Sequence, residues 1–288
     1  QPPTADDAIR QAAALPGDGR ILAVTGPGGF DLACRADSDP AVSALRERKS
    51  REAKPLALMA PDLAAAERLV TLDAAARATL TGPIRPIVLA CARPDAPISS
   101  GVAPGTDSLG VMLPYTPLHV LLLDEAGTTL VMTSANPSDE PLCRDNKEAL
   151  KRLAGLADAF LLHDRPIERR IDDSVVKVFD LPDPAEPARV IPLRRARGYA
   201  PAPIPTSCDS HEVVLAVGGQ MKSAICVHHR GRAVLSEHLG ELHNPASFRN
   251  FLGAGERLPR LLGRRPTCIA CDMHPNYAAT LWARNQPL

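Results

Sequence analysis

The chain has 288 residues, of which 45% are apolar and 23% charged, and its 33 basic residues balance its 33 acidic residues. At roughly 150 residues per domain, this length predicts about two domains. The zero net charge and the aromatic content of only 3% argue against a nucleic-acid-binding surface, and no apolar run reaches the roughly 18 residues of a membrane-spanning helix.

Short apolar strands alternate with helical segments through the first 180 residues. Helices are predicted at 5–15, 39–49, 61–70, 72–80, 117–125 and 145–156, and strands at 20–25, 55–59, 86–91, 109–112, 128–132, 159–162 and 174–179. Asp39-Pro40 indicates a helix start, with the acid as N-cap and proline at the first helical position. This alternation predicts an α/β fold.

Two proline-rich segments, 180–188 and 200–205, mark a change in organisation and predict extended loop or hinge structure. Beyond them, strands are predicted at 212–217, 224–227, 233–236 and 267–272, with a helix at 245–262. We therefore expect a first domain over residues 1–205 and a second over residues 206–288.

The seven cysteines are irregularly spaced, which is a poor disulfide framework and favours a reduced, cytoplasmic setting. Cys268 and Cys271 form one CxxC pair, but no second pair follows, and a structural zinc site needs four ligands. We therefore expect both to line a buried strand, and we predict no resident metal site. Residue 1 is Gln and no signal peptide is visible, which indicates a piece of a longer chain.

Five cations cluster where the second predicted helix gives way to a strand. Within nine residues the chain carries Arg46, Arg48, Lys49, Arg51 and Lys54. Converging Arg and Lys side chains suit a polyphosphate ligand. A solvated helix end, whose cations complement the helix dipole, is the alternative.

Two polar segments lie next to predicted strands. Thr133, Ser134 and Asn136 follow one strand, either to hold a ligand at the sheet edge or to form a simple turn. A second polar segment lies directly before another predicted strand. Its residues suit a phosphate together with a divalent cation, or else form surface ion pairs of little energetic value. It contains His163, Arg165, Arg170, Asp172, Asp173 and Ser174.

Two further segments are weaker signals. Residues 194–199 read as a basic return strand. Gly218-Gly219 with Lys222 follows a strand, and a glycine pair lets backbone N–H groups approach phosphate. The P-loop spacing is absent.

The chain carries six motifs in one order. They are Gly26-x-Gly28-Gly29-Phe30, Arg48-Lys49-x-Arg51-x-Ala53-Lys54-Pro55, Gly110-x-Met112-Leu113-Pro114-Tyr115, Thr133-Ser134-Ala135-Asn136, His163-Asp164-Arg165-Pro166 through Arg170-x-Asp172-Asp173-Ser174, and Arg194-Arg195-x-Arg197-Gly198-Tyr199. Together they resemble the YrdC-like domain of the HypF-type carbamoyltransferases, which mature [NiFe] hydrogenases. Gly218-Gly219-x-x-Lys222, Ser236-x-His238 and Asp272-x-His274-Pro275 resemble the start of that family's actin-like (ASKHA) second domain.

The resemblance implies a twisted open YrdC-like sheet with helices, followed by a partial ASKHA-type α/β domain. It implies that ATP, with Mg²⁺, and carbamate released from carbamoyl phosphate give carbamoyl-adenylate and pyrophosphate. The carbamoyl group then passes to the C-terminal cysteine of an acceptor protein, HypE, as the source of the cyanide ligand.

Residue roles follow from the same resemblance. The expected catalytic residues are Lys49, Arg51, Ser134 and Asn136. The expected cofactor-binding residues are Lys54, Ser100, Thr133, His163, Arg165, Arg170, Asp172, Asp173, Ser174, Arg195, Arg197, Gly218, Gly219 and Lys222.

The sequence departs from the family pattern in two ways. Thr25, Asp31 and Arg35 replace a lysine, a histidine and an aspartate of the usual first motif. The second domain also ends before the His-rich metal motif expected of it. The resemblance therefore implies ATP binding and adenylation by this chain, without use of carbamoyl phosphate.

Other interpretations stay open. A threonylcarbamoyl-adenylate synthase for tRNA modification shares the domain, but the motifs at 112–115 and 172–175 and the second domain argue against it. An antibiotic O-carbamoyltransferase is expected to carry its domains in the opposite order. A non-catalytic module that binds RNA or a partner protein is the alternative from a different class.

Overall fold

The computed structural model describes residues 4–136, 141–179 and 188–287. Apart from a short segment at Pro141, these residues divide into two compact units, the first running to Arg194 and the second beginning at Arg195. Among the described residues, no helix is long and apolar enough to cross a membrane.

The first unit is built on a nine-stranded mixed sheet with the order β7-β1-β2-β6-β3-β5-β4-β8-β9. Its strands are β1 (Leu22–Thr25), β2 (Phe30–Arg35), β3 (Ala57–Met59), β4 (Ile87–Cys91), β5 (Ser108–Met112), β6 (Leu130–Ser134), β7 (Ala159–Leu161), β8 (Val175–Phe179) and β9 (Arg189–Arg194). The pairs β1/β7, β3/β5 and β4/β8 are parallel, and the other pairs are antiparallel. The predicted α/β class is confirmed.

The described part of the first unit also contains six α-helices: α1 (Ala5–Ala14), α2 (Asp39–Arg48), α3 (Leu63–Leu69), α4 (Ala74–Thr81), α5 (Pro117–Ala126) and α6 (Asn146–Arg152). Each begins at a Ser, Thr or Asp whose side chain accepts a backbone N–H of the first turn. The core they cover is aliphatic, with Leu22, Leu122 and Met132 among its buried members. The predicted helix starts lie within two residues of the observed ones.

Two details of the first unit correct the predictions. Strand β2 was not predicted, although it lies between β1 and β6 in the sheet and is mostly buried. The cap of α2 is Ser38, which accepts the N–H of Ala41, whereas Asp39 already belongs to the helix. The expectation that Asp39 is the N-cap is therefore wrong by one residue.

The second unit contains a five-stranded sheet with the order β10-β13-β12-β11-β14. Its elements are β10 (Pro203–Pro205), β11 (Val214–Ala216), β12 (Cys226–His229), β13 (Arg232–Leu235), α7 (Pro245–Leu261), β14 (Cys268–Ala270) and α8 (Ala278–Arg284). In this sheet β11 and β14 pair in parallel, and the other pairs of described strands are antiparallel. Along the chain, α7 lies between β13 and β14. Phe251 packs edge-to-face on Trp282 in its core, with ring centroids 5.4 Å apart.

Two expectations for the second unit are wrong. The basic strand expected at 194–199 is a turn, because β9 ends at Arg194. Cys268 is half-buried on the edge strand β14 and Cys271 is exposed, so this pair does not line a buried strand. Among the described residues, no cluster of three or more His, Cys, Asp or Glu side chains is arranged to hold a metal ion.

Candidate nucleotide-binding site

The cation-rich loop begins where α2 ends. Ser50 has a left-handed backbone with φ of +49°. Its N–H donates to the carbonyl of Glu47 at 3.0 Å, and the N–H of Arg51 donates to the carbonyl of Arg46 at 3.0 Å. This is the pair of bonds that defines a Schellman helix end. It reverses the chain immediately after Lys49 and fixes the backbone of Arg51.

Lys49 is a buried cation, only 6% exposed. Its Nζ donates to the carbonyl of Ser134 at 2.6 Å and to the carbonyl of Asn136 at 2.9 Å, and lies 3.4 Å from the Asn136 Oδ1. Burial lowers the pKa of Lys49 to about 8, and the positive charges of Arg51 and Lys54 add to this, while Asp31 opposes it. The ammonium of Lys49 therefore loses its proton more readily than that of an exposed lysine.

Arg51 lies beside the same strand end. Its Nη1 donates to the Thr133 Oγ1 at 3.0 Å, and its Nε donates to the carbonyl of Lys54 at 3.2 Å. Burial lowers the pKa of Arg51 to about 10, with Arg46 and Arg194 adding to the effect. Two cations thus converge on the C-terminal end of β6.

The end of β6 supplies short polar side chains to these cations. The Ser134 hydroxyl donates to the Asn136 Oδ1 at 2.8 Å. Asp31 of β2 lies directly opposite Ser134 in the antiparallel register. The structure therefore brings together the four residues predicted as catalytic, Lys49, Arg51, Ser134 and Asn136, with Thr133 among them.

A second segment approaches through a glycine. The N–H of Ile171 donates to the carbonyl of Gly28 at 3.0 Å. A Cβ at Gly28 would lie 2.2 Å from the Ile171 Cγ2 and 2.3 Å from its carbonyl oxygen, so only glycine fits at this position. The close approach fixes the backbone immediately before Asp172.

Asp172 is a half-buried carboxylate that interacts electrostatically with several charged residues. Burial raises its pKa, the neighbouring charge of Asp173 raises it further, and Arg194 and Lys54 oppose this shift. Arg194 also acts on Arg51. Electrostatic interactions therefore connect four residues of the first unit, and we call them the electrostatic cluster: Arg51, Arg194, Asp172 and Lys54.

Several predicted site residues of the first unit make structural contacts. Arg170 donates to the carbonyl of Leu142 at 2.5 Å and pairs with Glu148 at 3.4 Å. The carbonyl of His163 accepts the Asn146 side chain at 2.9 Å. Ser174 is buried, and its carbonyl accepts the N–H of Ile87, whereas Arg165 and Ser100 are exposed.

The remaining predicted residues belong to the second unit. Arg195 donates to the carbonyls of Tyr199 and Ala202 at 2.8 and 2.7 Å and so organises its own turn, which also contains the half-buried Arg197. At Gly218, with φ of +65°, a Cβ would lie 2.4 Å from the carbonyl oxygen of Ala224. The N–H of Lys222, three residues after Gly219, donates to Glu241 at 3.1 Å.

The departures from the first motif have plain structural explanations. Thr25 is buried on β1, and its Oγ1 donates to the carbonyl of Leu161 on β7 at 3.2 Å. Arg35 forms a bidentate pair with Asp37 at the surface. Asp31, in contrast, belongs to the site, because its negative charge acts on Lys49 and opposes the lowering of the lysine pKa.

Sequence comparison identifies the family of each part of the chain. Residues 15–190 match the Sua5/YciO/YrdC family, whose profile is described as "Telomere recombination". The chain belongs to the Sua5/YciO/YrdC family. Residues 209–288 match a second profile, described as the HypF Kae1-like domain.

Curated relatives are similar to this chain over nearly all of its length. The carbamoyltransferase HypF of Rhodobacter capsulatus is 49% identical over 278 residues, and HypF2 of Cupriavidus necator is 44% identical over 289 residues. A probable carbamoyltransferase HypF of Methanocaldococcus jannaschii is 37% identical over 278 residues. Each match covers 95% or 96% of this chain but only 35% or 36% of the relative. The chain thus spans about a third of the length of these relatives.

Solved structures give the same result. Full-length HypF in a phosphate- and nucleotide-bound form superposes with a TM-score of 0.90 at 40% identity, covering all of this chain and 44% of that one. Sua5 of P. abyssi complexed with L-threonine has a TM-score of 0.57 at 15% identity, covering 96% of this chain and 92% of that one, and shows a shared fold alone. The comparisons confirm the resemblance to HypF-type proteins.

Proposed function

We propose that the first unit binds ATP and converts carbamate to carbamoyl-adenylate with release of pyrophosphate. The observation that carries the proposal is the convergence of Lys49 and Arg51 on Thr133, Ser134 and Asn136 at the end of β6. The buried Lys49 and the half-buried Arg51, with polar neighbours, form a site suited to an anion of high charge density. The similarity to a HypF structure in a phosphate- and nucleotide-bound form supports a nucleotide as that anion.

The proposed chemistry needs charge stabilisation rather than a nucleophilic side chain. The carbamate oxygen attacks the α-phosphorus of ATP, and the bond to the pyrophosphate oxygen breaks. Negative charge accumulates on the departing pyrophosphate, and preorganised cations lower the barrier to its departure. In this proposal the cations are Lys49, as an ammonium, and Arg51. Both are preorganised, because they donate to backbone carbonyls.

The carboxylates of Asp172 and Asp173 fit a divalent cation that travels with the nucleotide. Mg²⁺ is usually held by one or two carboxylates together with substrate phosphates, and Asp172 is a half-buried carboxylate with a neighbouring acid. When bound there, Mg²⁺ would neutralise phosphate charge. Lys54 and Arg194 balance the charge of Asp172 in the same cluster.

The rest of the proposal concerns the longer protein that the relatives represent. Because the chain spans about a third of those relatives, we propose that release of carbamate from carbamoyl phosphate and delivery of the carbamoyl group to a HypE-type acceptor need parts outside the 288 residues. We therefore expect this chain to use carbamate and to be inactive with carbamoyl phosphate.

Exchange of labelled pyrophosphate into ATP tests the proposal. With Mg²⁺ present, we expect exchange that depends on carbamate, and none with carbamoyl phosphate or with threonine plus bicarbonate. The double variant K49A/R51A should abolish exchange. R48A is the matched control, because Arg48 comes from the same run of cations but its side chain pairs with Asp158 at 3.0 Å. Exchange that depends on threonine instead would replace carbamate as the proposed substrate.

A further inference from the structure

Arg46 is a cation that the predicted site leaves out. It lies in the last turn of α2, and its guanidinium donates to five backbone carbonyls. The Nε donates to Gly101 at 2.5 Å, the Nη1 to Arg51 at 2.8 Å and Glu52 at 3.1 Å, and the Nη2 to Lys54 at 3.3 Å and Val102 at 3.2 Å.

These five acceptors match the donors of the side chain. A guanidinium carries five N–H groups in a fixed planar fork, one on Nε and two on each Nη. The contacts are distributed in the same way, with one acceptor for Nε and two for each Nη. A lysine at this position would keep the charge but would offer only three donors from a single atom.

The acceptors belong to two backbone segments that flank the site. Residues 51–54 form the loop that carries Arg51 and Lys54, and Ser100–Val102 form a short 3-10 turn. The turn is also bonded to the residue that precedes β3, because the N–H of Leu56 donates to the carbonyl of Val102 at 2.9 Å. Arg46 therefore joins the loop to a second segment that is distant in sequence.

Arg46 also fixes the backbone of Arg51 on both sides, at its N–H and at its carbonyl. Its backbone carbonyl accepts the N–H of Arg51 at 3.0 Å, and its side chain donates to the carbonyl of Arg51. The two guanidinium groups repel each other, since the charge of Arg46 contributes to the lowered pKa of Arg51. The loop thus holds two like charges close together, and the carbonyl of Lys54 accepts a hydrogen bond from each of them.

We propose that Arg46 is a positioning residue, which fixes the loop 51–54 so that Arg51 and Lys54 meet the phosphates of the nucleotide. It acts through backbone carbonyls, and all five of its donors are already used. This inference rests on the proposed function for the identity of the ligand. It depends on the guanidinium shape and not on the positive charge alone.

The variants R46K and R46Q separate shape from charge. R48K and R48Q are the matched controls, because Arg48 lies two residues further along the same helix and pairs with Asp158. Two measurements are made on each folded variant: the rate of ATP–pyrophosphate exchange, and the hydrogen exchange of the backbone amides of residues 50–56, Pro55 excepted because it has no N–H. The amide measurement requires no activity and no ligand.

We expect R46K to lose about tenfold to a hundredfold in pyrophosphate exchange, as R46Q does, since a displacement of about 1 Å in a catalytic group has an effect of this size. The amides of residues 50–56 should exchange at least tenfold faster in both variants, and the Arg48 variants should stay within twofold of wild type. In R46Q, added guanidinium ion at millimolar concentration should restore part of the rate, and methylammonium should not.

Wild-type rates and wild-type amide protection in R46K would overturn the inference, because charge alone would then be sufficient. Unchanged protection of residues 50–56 in R46Q would also overturn it. If wild-type protein shows no pyrophosphate exchange, the proposed function is wrong, and the amide comparison still decides whether Arg46 fixes the loop.

Discussion

Titration of Lys49 should change stability and activity in opposite directions. Its pKa lies near 8 in the folded protein and at 10.5 ordinarily. Between these values the unfolded chain binds the additional proton, so the free energy of unfolding rises with pH. A difference of about 2.5 pKa units corresponds to about 3 kcal/mol, gained progressively from pH 8 to 10.5. Below pH 8 this contribution is absent, because Lys49 is protonated in both states.

Activity should fall over the beginning of the same interval. The proposed role of Lys49 needs the ammonium form, so pyrophosphate exchange should decline as pH rises through about 8. The variant K49M carries no titrating group and serves as the reference. Urea unfolding of wild type and K49M at several pH values between 7 and 10 gives the stability difference directly.

The expected result is a wild-type stability that gains on K49M by about 1.4 kcal/mol for each pH unit above 8. The rate of pyrophosphate exchange should show an alkaline decline in the same region. A stability difference that stays flat between pH 8 and 10 would refute the assignment of a lowered pKa to Lys49. A difference that falls with pH would refute the sign of the argument.

Three further predictions test the frame of the site. G28A should lower the free energy of unfolding by at least about 2 kcal/mol, because the new Cβ overlaps Ile171, whereas G17A, with nothing within 4 Å, should change it by less than about 0.5 kcal/mol in thermal unfolding. S50G should raise stability in urea by about 1 kcal/mol, because it removes a left-handed non-glycine residue, and S50V should lower it. D172N should raise stability at pH 7, because loss of solvent raises the pKa of the half-buried Asp172 carboxylate and its charged form is therefore unfavourable in the folded protein. The same variant should weaken Mg²⁺-dependent ATP binding in calorimetry, and a destabilised D172N would contradict the argument.

The convergence of the loop and the β6 end was predictable from sequence because side-chain chemistry marks both segments. Lys49, Arg51 and Ser134 stand at the ends of predicted elements, and functional groups in α/β folds gather where strands end. The role of Arg46 was not predictable, since its partners are backbone carbonyls of residues 51–102 that any sequence provides. Only the tertiary structure shows where those carbonyls point.

The basic segment at 194–199 shows a different limit of sequence analysis. Arg195 and Arg197 were predicted to bind the cofactor, and the structure in addition places Arg194 in the electrostatic cluster with Asp172. The sequence marked the segment as basic but did not show where its strand ends. Strand β9 ends at Arg194, and the residues after it form a turn that Arg195 holds.

Binding of ATP to the double variant K49M/R51M tests the central claim most directly. Charge-assisted hydrogen bonds contribute roughly 1.5–3 kcal/mol each, so loss of both cations should weaken ATP binding by about a hundredfold to ten-thousandfold in calorimetry. The control R48Q should bind ATP as wild type does. Unchanged affinity in K49M/R51M, with a folded protein, would show that the nucleotide does not bind at the end of β6.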